Sequence, residues 1–567
     1  MSELMSHQIP HFERLLEILN IFYYAFDLSL MGAGKTIVAC KVAQFLEFNN
    51  VVVFCPHAVK EKWKEEIHAH NLPVPILADG EPALIHYDSL AGRKEGYIKS
   101  QLLKKNGDIY YKTKKLDKLI EKGTIFIFDE IQKGKNKNTS LFLAIKAIVN
   151  RVSELVNEYG YKSRVLFMSG TLFDNGTEQI ISMLKILNIY KNDLLYSNSR
   201  GNFKYQEYGY SEIYNYSKHL DPDATINAVN SVLKGDYLTS KNIKLCVSEI
   251  YKQVIQKYVT SGMDLKIDLE LDCKNEHYNL SKKRLKRLNK SIEELSEIIQ
   301  YDEHNKRCQG PLKKNMGRAI QCHQIQDREK IEIVIKNAII DLKENDTNKI
   351  CLVFNFVADI LMAEEILYKY KPLVIYGKTP KDIREKNIKL FNEPNSDYRV
   401  LIGNLTVIST GIDLHDTNGN YKRCVQILPN YRAMDTQQVI YRFYRVGTLS
   451  VPKIRFIYAN GAFKEKDIYD AYVVKGKAFR DFQEHQANSG VIFPGEYETI
   501  YNSSVSKIKY FKYHGEKISL EEGKIYTSVG NLIDRISEYK EKEEETYFET
   551  EEVDSEEEYF SIKNKLK

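Results

Sequence analysis

The sequence predicts an α/β protein built as two parallel-sheet lobes, with a mainly helical insert between them and an acidic, disordered C-terminal tail. Three observations carry this reading. First, short β-branched runs bounded by turn residues alternate with helical periodicity over residues 1–189 and again over 331–480. Second, residues 190–330 break that rhythm, being polar and rich in Tyr and Asn, and read mainly as helix. Third, residues 481–567 form a small C-terminal segment that loses core-forming pattern, and 538–560 hold 12 Asp and Glu against 2 Lys.

Size and composition fit this division. The chain has 567 residues, with 43% hydrophobic and 28% charged side chains, ordinary for a globular protein with room for several cores. No apolar run approaches the ~20 residues of a membrane span, so no membrane partner is expected. The start, "MSELMSHQIPHFERLL", lacks a basic stretch followed by an apolar core, and a secreted protein is not expected. The 8 cysteines include no C-x-x-C and read as reduced thiols; Cys322-His323 has no clustered partners that would make it a metal site. The net charge of +5 conceals an asymmetry: the acidic stretch carries −10, so the remainder carries about +15. A basic body suits a polyanionic partner, and the tail suits a competitor for the same surface or a dock for another protein.

The first lobe opens with "IFYYAFDLSL", a strand running into a glycine-containing turn, followed by the helical pattern "TIVACKVAQFLEF" and the buried strand "NVVVFCP". In strand–turn–helix context, "DLSLMGAGKT" reads as a phosphate-binding loop. Gly32 and Gly34 let the backbone approach, Ala33 lies between them, Lys35 adds a point charge, and Thr36 offers a hydroxyl to Mg²⁺. The usual leading glycine is replaced by Ser29. "GTIFIFDEIQ" ends a second buried strand in Asp129-Glu130, 94 residues after Lys35. Two carboxylates there are costly unless a metal or a proton transfer uses them. "SRVLFMSGTLFDN" repeats the form and ends in Ser169-Gly170-Thr171. Three such strands aim polar tips at one sheet edge, where α/β proteins bind ligands.

In the middle segment, "SKKRLKRLNKSIEELSEIIQ" starts with Lys282, Lys283, Arg284, Lys286, Arg287 and Lys290. It is either a solvated helix face or a phosphate-contacting surface. The second lobe then runs through "NKICLVFNF", "ADILMAEEILYKY", "PLVIYG", "KDIREKNIKLFNE", "YRVLIGNL", "STGIDLHD", "YKRCVQILP" and "DTQQVIYRFYRVG", alternating strand and helix.

Taken in order, these segments resemble the two-lobed, RecA-like ATPases of helicase superfamily 2, nearest the Swi/Snf-type and poxvirus nucleoside-triphosphatase branch, over roughly residues 5–470. "LSLMGAGKT" is similar to that branch's "DEMGxGKT", which also lacks the leading glycine. "VVVFCPHAVKEKW" resembles its second strand and turn, ending in Trp63. "FDEIQKGKN" is similar to its D-E-x-H/Q box, and "MSGTLFDN" resembles "LTGTPxxN" with Leu172 in place of proline. "IHYDSL", "CLVFNF", "STGIDLHD" and "QQVIYRFYRVG" resemble later motifs of the family, "STGIDLHD" with one glycine missing. The abundance of Lys, Asn, Ile and Tyr, with AT-rich codons, suits an AT-rich genome, and the resemblance implies a viral or AT-rich mobile-element source.

The resemblance implies ATP and Mg²⁺ as cofactors. Lys35 and the loop amides would hold the β- and γ-phosphates, Thr36 and Asp129 the metal, partly through water. Glu130 would orient or deprotonate the attacking water, or serve as a further metal-shell group. Gln8 stands where the family places an adenine-contacting glutamine, and Asp413 where a ribose contact is expected. Arg442 and Arg445, three apart and so on one helix face, are the phosphate-facing residues of lobe two, with Arg445 as arginine finger. Gln438 and Gln132 would link the lobes. The expected activity is ATP-dependent translocation on nucleic acid, DNA more than RNA. An RNA helicase and an ATP-switched assembly factor binding protein through 190–330 or the tail are the alternatives. The expected location is the cytoplasm or nucleus of a host cell, or a virion.

Overall fold

The computed structural model describes residues 4–483 apart from 31, 78–79, 93–94, 99, 137–138, 171–176, 191–194, 198–202, 206–207, 237, 239–241, 264–266, 268, 298–300, 303–306, 309–311 and 463–464. It also describes 492, 494, 510–513 and 516–519. The acidic stretch 538–560, Thr171 and Leu172 lie outside the described residues.

Lobe one is a six-stranded sheet. Its strands are β1 (Tyr24–Asp27), β2 (Asn50–Cys55), β3 (Leu84–His86), β4 (Thr124–Asp129), β5 (Arg164–Met168) and β6 (Thr260–Ser261), in the order β6-β1-β5-β4-β2-β3. All its pairings are parallel. Strands β1 and β4 are buried at every position, which is why they read as unbroken apolar runs ending in carboxylates. Helices α1 (Ile9–Ile21), α2 (Lys35–Phe45) and α3 (Lys60–Ala69) bury Leu15, Val38 and Trp63 in one core, and α4 (Ser140–Tyr159) buries Ile145 and Ile148 in another. The Thr139 side chain caps the first turn of α4, and Gly160, at φ 70°, ends it in the left-handed conformation.

Lobe two repeats the design with β7 (Asp272–Asn279), β8 (Lys349–Phe354), β9 (Leu373–Ile375), β10 (Val400–Asn404), β11 (Arg423–Ile427) and β12 (Lys453–Asn460), in the order β7-β12-β11-β8-β10-β9. These pairings too are all parallel. Helix α5 (Leu312–Glu344) buries Ile331, Val334 and Ile335 in one core of this lobe, and α6 (Ala433–Phe443) buries Val439 and Ile440 in another.

The segment expected as a helical insert does more than insert. Its helices Tyr208–Leu220, Pro222–Leu233 and Ile243–Ile250 place Ile213, Ala228, Cys246 and Val247 in the same core as Tyr24 and Phe26 of β1. It also supplies an edge strand to each sheet. β6 has two residues, too few to show periodicity. β7, "DCKNEHYN", is polar, and its side chains are matched only in three dimensions: Arg455 donates to Glu276 at 2.9 Å and to Asp272 at 2.8 Å. The basic helix Lys282–Glu297 turns Arg284 onto Glu329 (2.7 Å) and Glu332 (2.8 Å) of α5, and Arg287 onto Glu329, while Lys282, Lys283 and Lys286 are exposed. Two of its six basic groups therefore fasten helices together. Among the described residues no helix is long and apolar enough to cross a membrane, and no group of three or more His, Cys, Asp or Glu is arranged to hold a metal.

Candidate functional site

The loop between β1 and α2 has the backbone that its glycines predict. Gly32 and Gly34 have φ of 79° and 88°, values that a side chain disfavours. Lys35 opens α2 and folds its ammonium back over the loop, donating to the Ser29 carbonyl at 2.8 Å and the Leu30 carbonyl at 3.1 Å. Ser29, in place of the expected glycine, is buried. Its N–H donates to Asp27 at 2.9 Å, and its hydroxyl accepts the Met263 N–H at 2.9 Å, tying the loop to the chain beyond β6. Beneath it, Asp27 pairs with His11 Nε2 at 3.2 Å, and His11 Nδ1 meets the Ser261 hydroxyl at 2.7 Å. Burial pushes the Asp27 carboxyl up, but His11 and Lys35 outweigh it and hold the group below its ordinary value.

Asp129, at the end of β4, is held from two sides. Trp63 Nε1 donates to Oδ2 at 2.9 Å, and the Tyr87 hydroxyl donates to the main-chain carbonyl at 2.5 Å. Burial, with the neighbouring Glu130 charge, pushes the Asp129 carboxyl up to about 6. A dry carboxylate beside a like charge favours a cation, and Thr36 lines the same cavity. The residues expected to hold Mg²⁺ therefore fit such an ion. Glu130 adopts the left-handed conformation, φ 56°, as a few other described non-glycine residues do. Its carboxylate accepts from Gln132 Nε2, and Gln132 Oε1 accepts from the Ser169 hydroxyl at 2.7 Å. Gln132 thus bridges the tips of two lobe-one strands, where the sequence reading expected a link between lobes.

Lobe two closes the site. Arg442, in the last turn of α6, is buried and donates to the Ser409 carbonyl through Nε at 3.1 Å and Nη2 at 2.6 Å. Burial lowers its guanidinium from the ordinary value, opposed by the charge of Glu130 across the interface. The expectation that Arg442 and Arg445 share a helix face fails, because α6 ends at Phe443 and Tyr444 is extended. That break swings Arg445 across to the phosphate loop, where a Cβ on Gly32 would come within 2.8 Å of its Nε. Arg445 also pairs with Asp413. An exposed ion pair between Lys381 and Glu61, 3.2 Å, joins the lobes nearby.

Gln8, Gly32, Ala33, Gly34, Lys35, Thr36, Asp129, Glu130, Asp413, Arg442 and Arg445 all line one cavity of about 310 Å³, large enough for a nucleotide-sized ligand. Gln438 is buried in α6 and does not line it. The sequence reading assigned no site role to Trp63, Tyr87, His11, Asp27 or Ser261. For Trp63 the signal was present, as the only Trp at the end of a recognisable segment. For the others only the folded chain brings them together.

Residues 329–447 match the helicase conserved C-terminal domain family. A 101-residue stretch is 28% identical to the mitochondrial ATP-dependent RNA helicase SUV3L of Oryza sativa subsp. japonica, spanning 18% of this chain and only 14% of that protein. The solved Sulfolobus solfataricus SWI2/SNF2 ATPase core in complex with dsDNA aligns over 87% of this chain and 97% of its own, at 17% identity and a TM-score of 0.30. The same core domain in a second structure aligns over 81% and 86%, at 18% identity and 0.30. The second of the two parallel-sheet lobes thus carries the match to the helicase conserved C-terminal domain family, and the first carries the glycine loop and the Asp-Glu strand end.

Proposed function

We propose that the protein hydrolyses ATP between its lobes and couples the cycle to movement along nucleic acid, DNA in the first instance. The observation that carries this is Arg445 of lobe two lying on Gly32 of the lobe-one loop, with Arg442 facing Glu130. The hydrolytic constellation needs both lobes, so ATP favours closure and loss of the γ-phosphate releases it. Lys35 and the loop amides hold the β- and γ-phosphates. Thr36 and Asp129 would hold Mg²⁺, which would neutralise phosphate charge. Glu130, steadied by Gln132, positions the attacking water and takes its proton. Arg445 stabilises charge developing on the transferred phosphoryl group, and Arg442 braces it. Gln438 supports α6 behind these arginines, and Asp413 orients Arg445 and borders the ribose position. A track crossing both lobes would contact phosphates more than bases and read little sequence.

The basic body and the similarity of "CPHAVKEKW" to the Swi/Snf-type segment support DNA. The curated relative named as an RNA helicase supports RNA as the second reading. ATP turnover by the full chain, measured with DNA, with RNA and with neither, tests both. Stimulation by DNA alone is expected. Stimulation by RNA alone replaces the substrate, and indifference to both removes the translocase.

A further inference from the structure

Between β3 and β4 the chain builds a smaller sheet, none of whose described residues lines the nucleotide cavity. Its strands Gly96–Tyr97, Leu103–Asn106 and Ile109–Lys112 are antiparallel. The last two are joined by the two-residue turn Gly107-Asp108, with Gly107 at φ 58°. Cross-strand partners share a face, so the register sorts the side chains. The inner face holds Leu103 and Tyr110, buried in the same core as Ile145 and Ile148 of α4. Its lysines are spent on structure: Lys105 donates to the Gly92 carbonyl at 3.0 Å and the Ser140 hydroxyl at 3.3 Å, and Lys112 pairs with Glu154 at 2.9 Å. The outer face sets Lys104 opposite Tyr111 and Asn106 opposite Ile109, all exposed, Tyr111 at 49% and Ile109 at 59%.

The solvated face of an antiparallel sheet is ordinarily polar, and this one carries a ring and an aliphatic chain beside a lysine. Residues 93–122 hold 10 Lys and Arg against 4 Asp and Glu, a net +6 that exceeds the +5 of the whole chain. That charge selects a polyanion, and an exposed ring selects one whose bases are not already stacked in a duplex. The sheet is rooted beside the nucleotide site. Helix Tyr87–Ala91 begins with the Tyr87 that holds the Asp129 carbonyl and ends with Ala91, whose carbonyl accepts the Tyr110 hydroxyl.

We propose that this outer face is a contact for single-stranded nucleic acid, with Tyr111 stacking on a base, Ile109 packing beside it and Lys104 meeting a phosphate. Stacking and phosphate contact are chemistry that DNA and RNA strands share. They read little sequence, because every base has a π-face.

This inference rests on the nucleic-acid reading, and binding measured without ATP separates the two. Affinities for labelled oligothymidylate, oligouridylate and a blunt DNA duplex would be measured over a salt series with the full chain, Tyr111→Ala, Tyr111→Phe and Lys104→Gln. Tyr111→Ala should weaken single-strand binding by ~5–150-fold, the worth of one stacked base. Tyr111→Phe keeps the ring and should retain the affinity, and neither variant should alter duplex binding. Lys104→Gln should make the salt dependence shallower, the slope of log K against log[salt] falling by about 0.7 for one lost phosphate contact. A loss on either oligonucleotide supports the inference and names the strand taken, DNA or RNA. Equal single-strand affinity in the parent and Tyr111→Ala overturns it and leaves the face to the acidic stretch 538–560 or to another protein. An equal loss on the duplex overturns base stacking, and so does a parent that binds no single strand. A parent that binds single strands through Tyr111 yet hydrolyses ATP no faster in their presence keeps this contact and removes the translocase.

Discussion

The two sheets share an architecture but differ at their carboxyl edges. In lobe one the strand tips hold like charges side by side: Asp129 and Glu130 face one cavity, and their mutual repulsion with burial pushes Asp129 up to about 6. In lobe two the tips hold amides that satisfy one another. Asn355 donates to Asp327 at 2.7 Å and to the Leu428 carbonyl at 3.0 Å, accepts from Asn430 at 2.6 Å, and its carbonyl accepts from Asn404 at 2.8 Å. The charges behind them are neutralised, with Lys330 set between Glu465 (2.8 Å) and Asp327 (3.3 Å), all fully buried. Opposed charges packed against one another mark structure, while neighbouring like charges on a cavity mark chemistry. On the proposed reading, lobe two lends the reaction its guanidinium groups and otherwise holds its own edge together.

The strongest way to break this comparison is Lys35→Ala, which removes the ammonium folded over the loop. ATP hydrolysis should fall below detection in a protein that still melts cooperatively, since among the described residues the Lys35 ammonium bonds to loop carbonyls. Unchanged turnover would mean that the chemistry is elsewhere. Next comes Arg445→Ala. Arginine fingers contribute ~10³–10⁵ in rate, so kcat should drop by about 10³ with little change in nucleotide affinity. An equal loss in binding would reduce Arg445 to a ground-state contact.

Smaller effects sharpen the contrast. Trp63→Phe keeps an aromatic, though smaller, side chain and removes the N–H donated to Asp129. Groups orienting a metal ligand are worth ~10–100-fold, so the Mg²⁺ concentration for half-maximal hydrolysis should rise by about tenfold. A Mg²⁺ requirement unaltered in Trp63→Phe would show that packing, with Tyr87 on the main-chain carbonyl, is enough to keep Asp129 in place. Smallest in its effect on chemistry is Asn355→Ala. It should cost ~1–3 kcal/mol of stability, by leaving Asn430 and Asp327 short of partners, and leave basal hydrolysis unaltered. A large loss of basal rate with intact stability would place lobe two's edge within the reaction.

Much of this was legible in the chain. Unbroken apolar strands ending in Asp129-Glu130, the glycines of the loop, and the lobe–segment–lobe order are local patterns, because burial on both faces of a parallel sheet leaves its mark residue by residue. The site residues of lobe one could be named for the same reason: each sits at a strand end or a helix start. Tertiary structure alone decided the rest. That β7 is a strand depends on Arg455 meeting its polar side chains across a sheet. That Ser29 serves without a glycine depends on Met263, 234 residues away. Arg445 reaches the loop because α6 stops before it, and Gln8 turns to Ala33 because the N-terminal turn folds back on its own amide. Each of these contacts joins groups that no periodicity connects, and a polar side chain declares its role only when its partner is in place.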